Sequence, residues 1–313
     1  MATKHHADGL HLYLAGAPVS VPHLANNFGA AAQNEQPLKV LISYHYFKNT
    51  DLDGMVAAMK TKPMIFADCG AFSAHTQGVE IKIKDYAAWL KKWSHLITVG
   101  VNLDVIRDAK ATHKNQLLME RMGVEVIPVF HTGTEMSVLD KLCKTYPYIA
   151  LGGMVGAEAA PTMRWAANCM QRTKEHGTAF HGFGQTRKQI IETLPWYSVD
   201  SSSWGSGHRY GNVPVWTGRE FTTVKIGNHA SVYKEAAHIR RLGVDPAYLA
   251  DRGRYHQRYA IRVAAASWRE WEKLLRKRHG SIECKQRTNG LHLYLVDGAA
   301  QNLIETAHGV KQL

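Results

Sequence analysis

The 313-residue sequence predicts an α/β fold: a (β/α)8 TIM barrel carrying a basic, mainly helical C-terminal extension. Three observations lead there. Short apolar runs of strand length recur eight times before residue 202. Amphipathic stretches of helical period separate most of them. The runs tend to stop at an acid, a histidine or a pair of glycines, as strands do when they run out into loops on one rim.

In chain order, residues 10–15 form the first candidate strand, followed by a weak helical stretch through Leu24 and Phe28. Residues 39–46 (KVLISYHY) form the second, with a helix over 52–60. The third is 64–68 (MIFAD); its helix, 84–93, sets Tyr86, Leu90 and Trp93 on one face. Residues 98–104 (TVGVNLD) lead to a helix over 116–122 that Gly123 stops. Residues 125–131 (EVIPVFH) precede a helix through Leu139 and Leu142 that ends before Pro147. The sixth strand, 148–153 (YIALGG), is followed by a helix over 163–175, and the seventh, 178–184 (TAFHGFG), by 187–194. The eighth is 197–201, where Tyr197 and Val199 fit a half-buried strand and Asp200 breaks the pattern.

At the C-terminal ends of these strands stand Tyr44, His45 and Tyr46; Asp68; Asp104; His131; Gly152 and Gly153; Gly182 and Gly184; and Asp200. Any one carboxylate here reads equally as a cap, and a single histidine as scaffold. Three acids, a histidine and two glycine pairs converging on one mouth read as an active site.

Composition bounds the function. Hydrophobic residues make up 45% and charged residues 20% of the chain, which excludes extended disorder. The formal charge of +12 points to a polyanionic partner. Cys69, Cys143, Cys169 and Cys284 form no Cys-x-x-Cys pair, so neither a disulfide framework nor a zinc knuckle is expected; His279, Cys284 and His292 match no standard metal spacing. No apolar run reaches the ~18 to 20 residues of a membrane span and no signal-peptide core is evident, so a cytoplasmic protein is expected.

Residues 234–287 hold fourteen basic against six acidic side chains, most of the net charge. They read as two helices, 231–242 and 254–279, with Trp268 and Trp271 near an apolar face. This divides the chain into a catalytic barrel, 1–227, and a basic region, 228–313, expected to track phosphates in a salt-dependent manner through Arg254, Arg258 and Arg262. The loop 205–211 (GSGHRYG), just past Asp200, adds His208 and Arg209 as candidate phosphate contacts. The hexapeptide GLHLYL occurs at both 9–14 and 290–295, and both copies read as strands.

Several motifs carry a family resemblance. Asp68-Cys69-Gly70-Ala71-Phe72-Ser73 resembles the Asp-Ser-Gly-Gly-Phe-Gln signature of tRNA-guanine transglycosylases. The stretch 152–158 (GGMVGAE) is similar to their Gly-Gly-Leu-x-x-Gly-Glu loop. Tyr44-His45, Gly182-x-Gly184 and Val199-Asp200 are similar to their Tyr-His, Gly-x-Gly and Phe-Asp elements, in the same order over residues 10–227. The family's zinc motif is missing, Ser202-Ser203-Trp204 stands where it has Pro-Thr-Arg, and His131, or Phe130 in a register one residue earlier, stands in place of its base-reading glutamine. The chain most resembles the zinc-less branch found in phages and bacteria, the DNA-guanine transglycosylases.

The resemblance implies exchange of guanine in DNA for a free 7-deazaguanine base. Asp200 would be nucleophile and Asp68 general acid/base, and Asp104, His131, Gly152 and Gly153 would read the base while Tyr44, Tyr46 or Phe72 stack on it. Base exchange is near energy-neutral, so no cofactor is expected. A tRNA substrate, a non-catalytic partner subunit and a homodimer all stay compatible with the sequence.

Overall fold

The computed structural model describes residues 10–15, 38–57, 62–279, 282–286 and 292–296. Eight parallel strands form one sheet: β1 (His11–Ala15), β2 (Lys39–Ser43), β3 (Met64–Asp68), β4 (Ile97–Gly100), β5 (Val129–His131), β6 (Tyr148–Gly152), β7 (Ala179–Gly182) and β8 (Ser198–Ser201). The order β4-β3-β2-β1-β8-β7-β6-β5 leaves β4 and β5 at the two ends. A parallel bridge, Val101 to Ile127, joins those ends. Ile127 N–H donates to Gly100 O at 2.8 Å and Asn102 N–H to Ile127 O at 3.1 Å, so the sheet closes into the expected barrel.

Alternation sorts the strand residues between two cores. Tyr13, Phe66, Val99, Val129, Tyr148, Ala150 and Ala179 fill the interior. Leu12, Leu14, Val40, Ile42, Ile65 and Ile149 face outward into a second core shared with the helices. Both strand faces are thereby buried, which is why the runs read as continuous apolar segments rather than strict alternation.

The helices largely follow expectation, with instructive shifts. α1 (Tyr44–Phe47) is a helical turn where the sequence predicted continued strand; the N–H of His45 is taken by Cys69 O at 3.3 Å instead of a ladder partner. α2 (Leu52–Ala57), α3 (Ala71–Thr76) and α4 (Ile83–Lys92) follow. α5 (Ala109–Arg121) starts seven residues before the predicted helix because the Asp108 side chain accepts from Ala111 N–H at 2.9 Å, a cap that overrides the weak periodicity. β5 begins only at Val129, since Pro128 has no N–H to give a ladder. α6 (Met136–Thr145), α7 (Ala159–Arg172) and α8 (Lys188–Thr193) cover the wall. The predicted helix near Leu24 and Phe28 lies outside the described residues.

Beyond β8 the chain differs more. Residues 205–211, read as a loop, contain α9 (Ser206–Tyr210), closed by Gly211 at φ 76°. An antiparallel hairpin that the sequence reading missed follows: β9 (Asn212–Trp216) and β10 (Phe221–Lys225), turning at Gly218 with φ 99°. α10 (His229–Lys234) and α11 (Ala236–Arg241) replace one predicted helix, broken at Glu235, and α12 (Ala247–Ala250) follows it. α13 (Gln257–His279) packs on β1, α8 and β9 and shares the outer core through Ile261, Val263, Ala264, Trp268, Trp271 and Leu275. Its Glu272 Oε1 accepts from Leu12 N–H at 2.9 Å and lies 2.5 Å from Lys39 Nζ, at the starts of β1 and β2. The long helix is therefore wall of the barrel, filling the station between β8 and β1, and its first turns rise toward the mouth. β11 (Ile282–Gln286) and β12 (His292–Val296) pair as a separate antiparallel ribbon.

Candidate active site

Asp68 is the last residue of β3, on the inward side of the alternation that places Met64 and Phe66 in the interior. The chain turns at once through Gly70, at φ 80°, and Gly70 N–H donates to Asp68 Oδ2 at 3.0 Å. An added Cβ at Gly70 would stand 2.7 Å from His45 Cβ, so the β2 and β3 loops interlock only around a glycine. Burial raises the Asp68 carboxyl to about 7; the charges of Asp200 and Asp104 add to that shift, and the Gly70 N–H opposes it. Asp68 thus senses both other acids across one mouth.

Asp200 ends the inward face of β8, level with Tyr13 of β1. It is 8% exposed. Gly184 N–H donates to its Oδ1 at 2.6 Å, and His181 Nε2 lies 3.4 Å from the same oxygen. No described residue meets Oδ2. The loop behind is pinned by Trp204, which is buried and donates its indole N–H to Ala15 O at 2.8 Å. Burying an indole of ~200 Å² is worth on the order of 5 kcal/mol of transfer free energy, an anchor one turn from the carboxylate.

Asp104 follows β4 in the loop reached through Val101 and Asn102. Its Oδ1 accepts from Thr112 Oγ1 at 2.9 Å, and its Oδ2 is 3.1 Å from His131 Nε2. Asp104 and His131 are each 16% exposed, a pair facing the mouth. Gly152 is register partner to His131, and an added Cβ would lie 2.9 Å from the imidazole. At Gly153, φ 80°, it would lie 2.3 Å from Thr132 Oγ1. These two glycines make room for protein side chains, His131 and Thr132. Gly182 likewise yields to Trp196, at 2.9 Å.

The aromatic residues divide. Tyr44 packs outside the barrel on Tyr86 and Trp89, at 5.4 and 5.7 Å, and burial followed by the charge of Asp85 raises its hydroxyl. It does not face the mouth, because α1 has turned it away. Tyr46 and Phe72 are exposed, 48% and 66%, as are Val155 at 67% and Tyr210 at 73%. All four lie on segments that follow the C-terminal ends of β2, β3, β6 and β8. Among the described residues, the most exposed large apolar side chains are thus gathered on the rim.

Among the basic residues, Arg209 is committed: its guanidinium donates to the carbonyls of Ser202 and, at 3.2 Å, Gly205, clamping the loop after Asp200. His208 lies in α9. Arg262 is half-buried and lies over Gly243, where a Cβ would meet its guanidinium at 2.7 Å. Arg254 and Arg258 are exposed; they lie over Tyr248 and Tyr259 at 5.0 and 4.8 Å, and the two tyrosine rings stack at 4.2 Å with 2° between planes.

One site residue escaped the sequence reading. His181, fully buried on β7, stacks on Phe66 at 4.2 Å and bonds through Nδ1 to Ser198 Oγ at 2.6 Å; Ser198 is in turn hydrogen-bonded to the Tyr148 hydroxyl. Its burial lowers the imidazole's proton affinity, offset in part by Asp200. The available signal was its place two residues after Ala179, on the same inward face.

No protein-family model and no curated protein matches the chain. Among solved structures it is similar to the YdjI aldolase from Escherichia coli K12, with 11% identity, a TM-score of 0.44, and coverage of 86% of this chain and 91% of that one. Among the described residues no group of three or more His, Cys, Asp or Glu is placed to hold a metal ion, and no helix is long and apolar enough to cross a membrane.

Proposed function

We propose that this chain is a base-exchanging N-glycosyl transferase that replaces guanine in DNA by a 7-deazaguanine. The observation that carries the reading is the placement of Asp68 and Asp200 on the inward faces of β3 and β8 at their C-terminal ends, where the charge of Asp200 adds to the rise of the Asp68 carboxyl; two carboxylates in such different environments suit different tasks. Asp200 Oδ2 meets none of the described residues, and Asp68, with a pKa of about 7, exchanges a proton readily near neutrality. The ordered motifs shared with the transglycosylases point the same way.

In the first half-reaction Asp200 Oδ2 attacks C1′ of the nucleotide. The bond from C1′ to the guanine nitrogen breaks, an ester to Asp200 forms, and Asp68 gives its proton to the departing base. In the second, the 7-deazaguanine nitrogen attacks C1′, its proton passes to Asp68, and Asp200 leaves. Protons and electron pairs balance without a cofactor. Asp104 and His131 offer a carboxylate and an imidazole to the donor edge of the purine; a mismatched base would leave that pair desolvated and unmatched.

A nucleobase reaches this mouth only flipped or single-stranded, at a cost of a few kcal/mol. Exposed Phe72, Tyr46 and Tyr210 provide faces on which unstacked bases can rest, each worth ~1 to 3 kcal/mol. Arg254 and Arg258, near the start of α13, supply phosphate attraction. The test is incorporation of a labelled 7-deazaguanine into duplex DNA, single-stranded DNA or tRNA. Label in DNA supports the proposal, label in tRNA alone moves the substrate to RNA, and label in none removes the activity.

A further inference from the structure

Nothing in the proposed exchange uses the three-residue chain beneath Asp200. Tyr148, Ser198, His181 and Asp200 come from β6, β8, β7 and β8, and all point into the barrel interior. Tyr148 is 1% exposed, and Ser198 and His181 are 0% exposed. Each is linked to the next: Tyr148 hydroxyl to Ser198 Oγ, Ser198 Oγ to His181 Nδ1 at 2.6 Å, and His181 Nε2 facing Asp200 Oδ1 at 3.4 Å. Phe66 stacks on the imidazole at 4.2 Å and Phe183 meets it edge-on at 4.8 Å, so the ring has little freedom to rotate.

One hydrogen arrangement gives each link of this chain a donor and an acceptor and turns the last proton toward Asp200. Tyr148 O–H donates to Ser198 Oγ, Ser198 O–H donates to His181 Nδ1, and the one remaining imidazole proton sits on Nε2, aimed at Asp200. The last distance is long for a hydrogen bond, and no other described partner meets Nε2. Contacts of this kind tighten when substrate arrives. Gly184 N–H already donates to the same Oδ1 at 2.6 Å. Both donors fall on one oxygen, and the other is left without a protein partner among the described residues.

We propose that His181 is the positioning residue of Asp200: with Gly184 it ties down Oδ1, so that Oδ2 alone is presented to the sugar carbon. The proposal rests on Asp200 being the nucleophile. A carboxylate free to rotate would offer either oxygen at a poor angle, and an ångström of misplacement costs about 100-fold in rate. Ser198 and Tyr148 fix the imidazole tautomer from below, as an orienting group does for a catalytic histidine.

Two measurements on the full-length protein test this. With [15N]histidine labelling, the His181 ring nitrogens, identified by their loss in His181→Gln, are expected in the Nε2–H neutral form. They should shift in both Asp200→Asn and Ser198→Ala. An Nδ1–H tautomer, or indifference to Asp200→Asn, overturns the proposal whatever the activity.

In single-turnover reactions with guanine-containing DNA, His181→Phe should slow formation of the covalent protein–DNA adduct about 100-fold while DNA affinity stays within about twofold. His181→Gln, which keeps a donor, should recover most of the rate, and Ser198→Ala gives the same direction of effect should the phenylalanine variant not fold. Wild-type adduct rates in His181→Phe and Ser198→Ala would end the positioning role alone. Absence of any adduct in the wild type would end the reading of Asp200 and this inference with it.

Discussion

Gly184 holds Asp200 across the gap between β7 and β8, its N–H 2.6 Å from Oδ1. The glycine is at φ 57°, and a Cβ there would stand 2.6 Å from the Val155 side chain. Gly184→Ala is therefore expected to lose about 1 to 3 kcal/mol of stability and to displace the donor from Asp200. Urea unfolding reads the first effect. A parallel loss of exchange activity in protein still folded at the assay temperature reads the second.

Asp68, raised to about 7 by burial and by its acidic neighbours, links protonation to folding. A carboxyl whose folded pKa exceeds its unfolded value favours the fold when protonated, and that contribution declines as pH rises from about 4 to about 7. Asp68→Asn removes the decline. Its melting temperature relative to wild type should thus climb over that interval and level off above about pH 7. A difference that does not vary with pH contradicts the assignment. Exchange by the wild type should meanwhile fall on the alkaline side, where Asp68 has no proton to give.

Lys39 and Glu272 lie 2.5 Å apart with the lysine side chain fully buried, joining the eighth-helix station to β2. Burial lowers the ammonium's proton affinity and Glu272 opposes that shift. Lys39→Met strands a buried carboxylate and should cost about 3 to 5 kcal/mol. Combining it with Glu272→Gln keeps an acceptor for Leu12 N–H and should restore most of the loss. A double-mutant cycle by chemical denaturation measures the coupling.

Arg254 and Arg258 are the exposed pair expected to meet phosphates. Replacing both by alanine should weaken DNA binding across sequences and reduce the slope of log K against log salt by roughly one for each phosphate no longer neutralised. Arg209→Ala should act differently: it unclamps the Ser202 and Gly205 carbonyls, so its cost should fall on turnover or stability more than on the salt slope. Fluorescence anisotropy at several ionic strengths separates the two.

The barrel was legible because both faces of each strand are buried, leaving eight apolar runs, most of which stop at an acid, a histidine or a pair of glycines. Asp68 and Asp200 stood out as the points where those runs break. What lay beyond the sequence were events between elements. Tyr44 continues an apolar alternation, yet a helical turn carries it to the outer wall, onto Tyr86 and Trp89. The space beside Gly152 and Gly153 belongs to His131 and Thr132, a pairing that only the packing of neighbouring strands reveals. His181 was masked by the glycines around it, and its link to Asp200 exists only because β7 and β8 are adjacent. The long basic helix looked like an appendage because a hairpin and three short helices intervene before it returns to β1.

The most direct test is to quench a reaction of the protein with guanine-containing DNA before free base is added, digest it, and locate the sugar-modified peptide by mass. With Asp200 as the attacking group, the adduct is expected on the peptide carrying Asp200, formed as one guanine is released, and lost in Asp200→Asn. Guanine exchange with no adduct, or an adduct on any other residue, contradicts it.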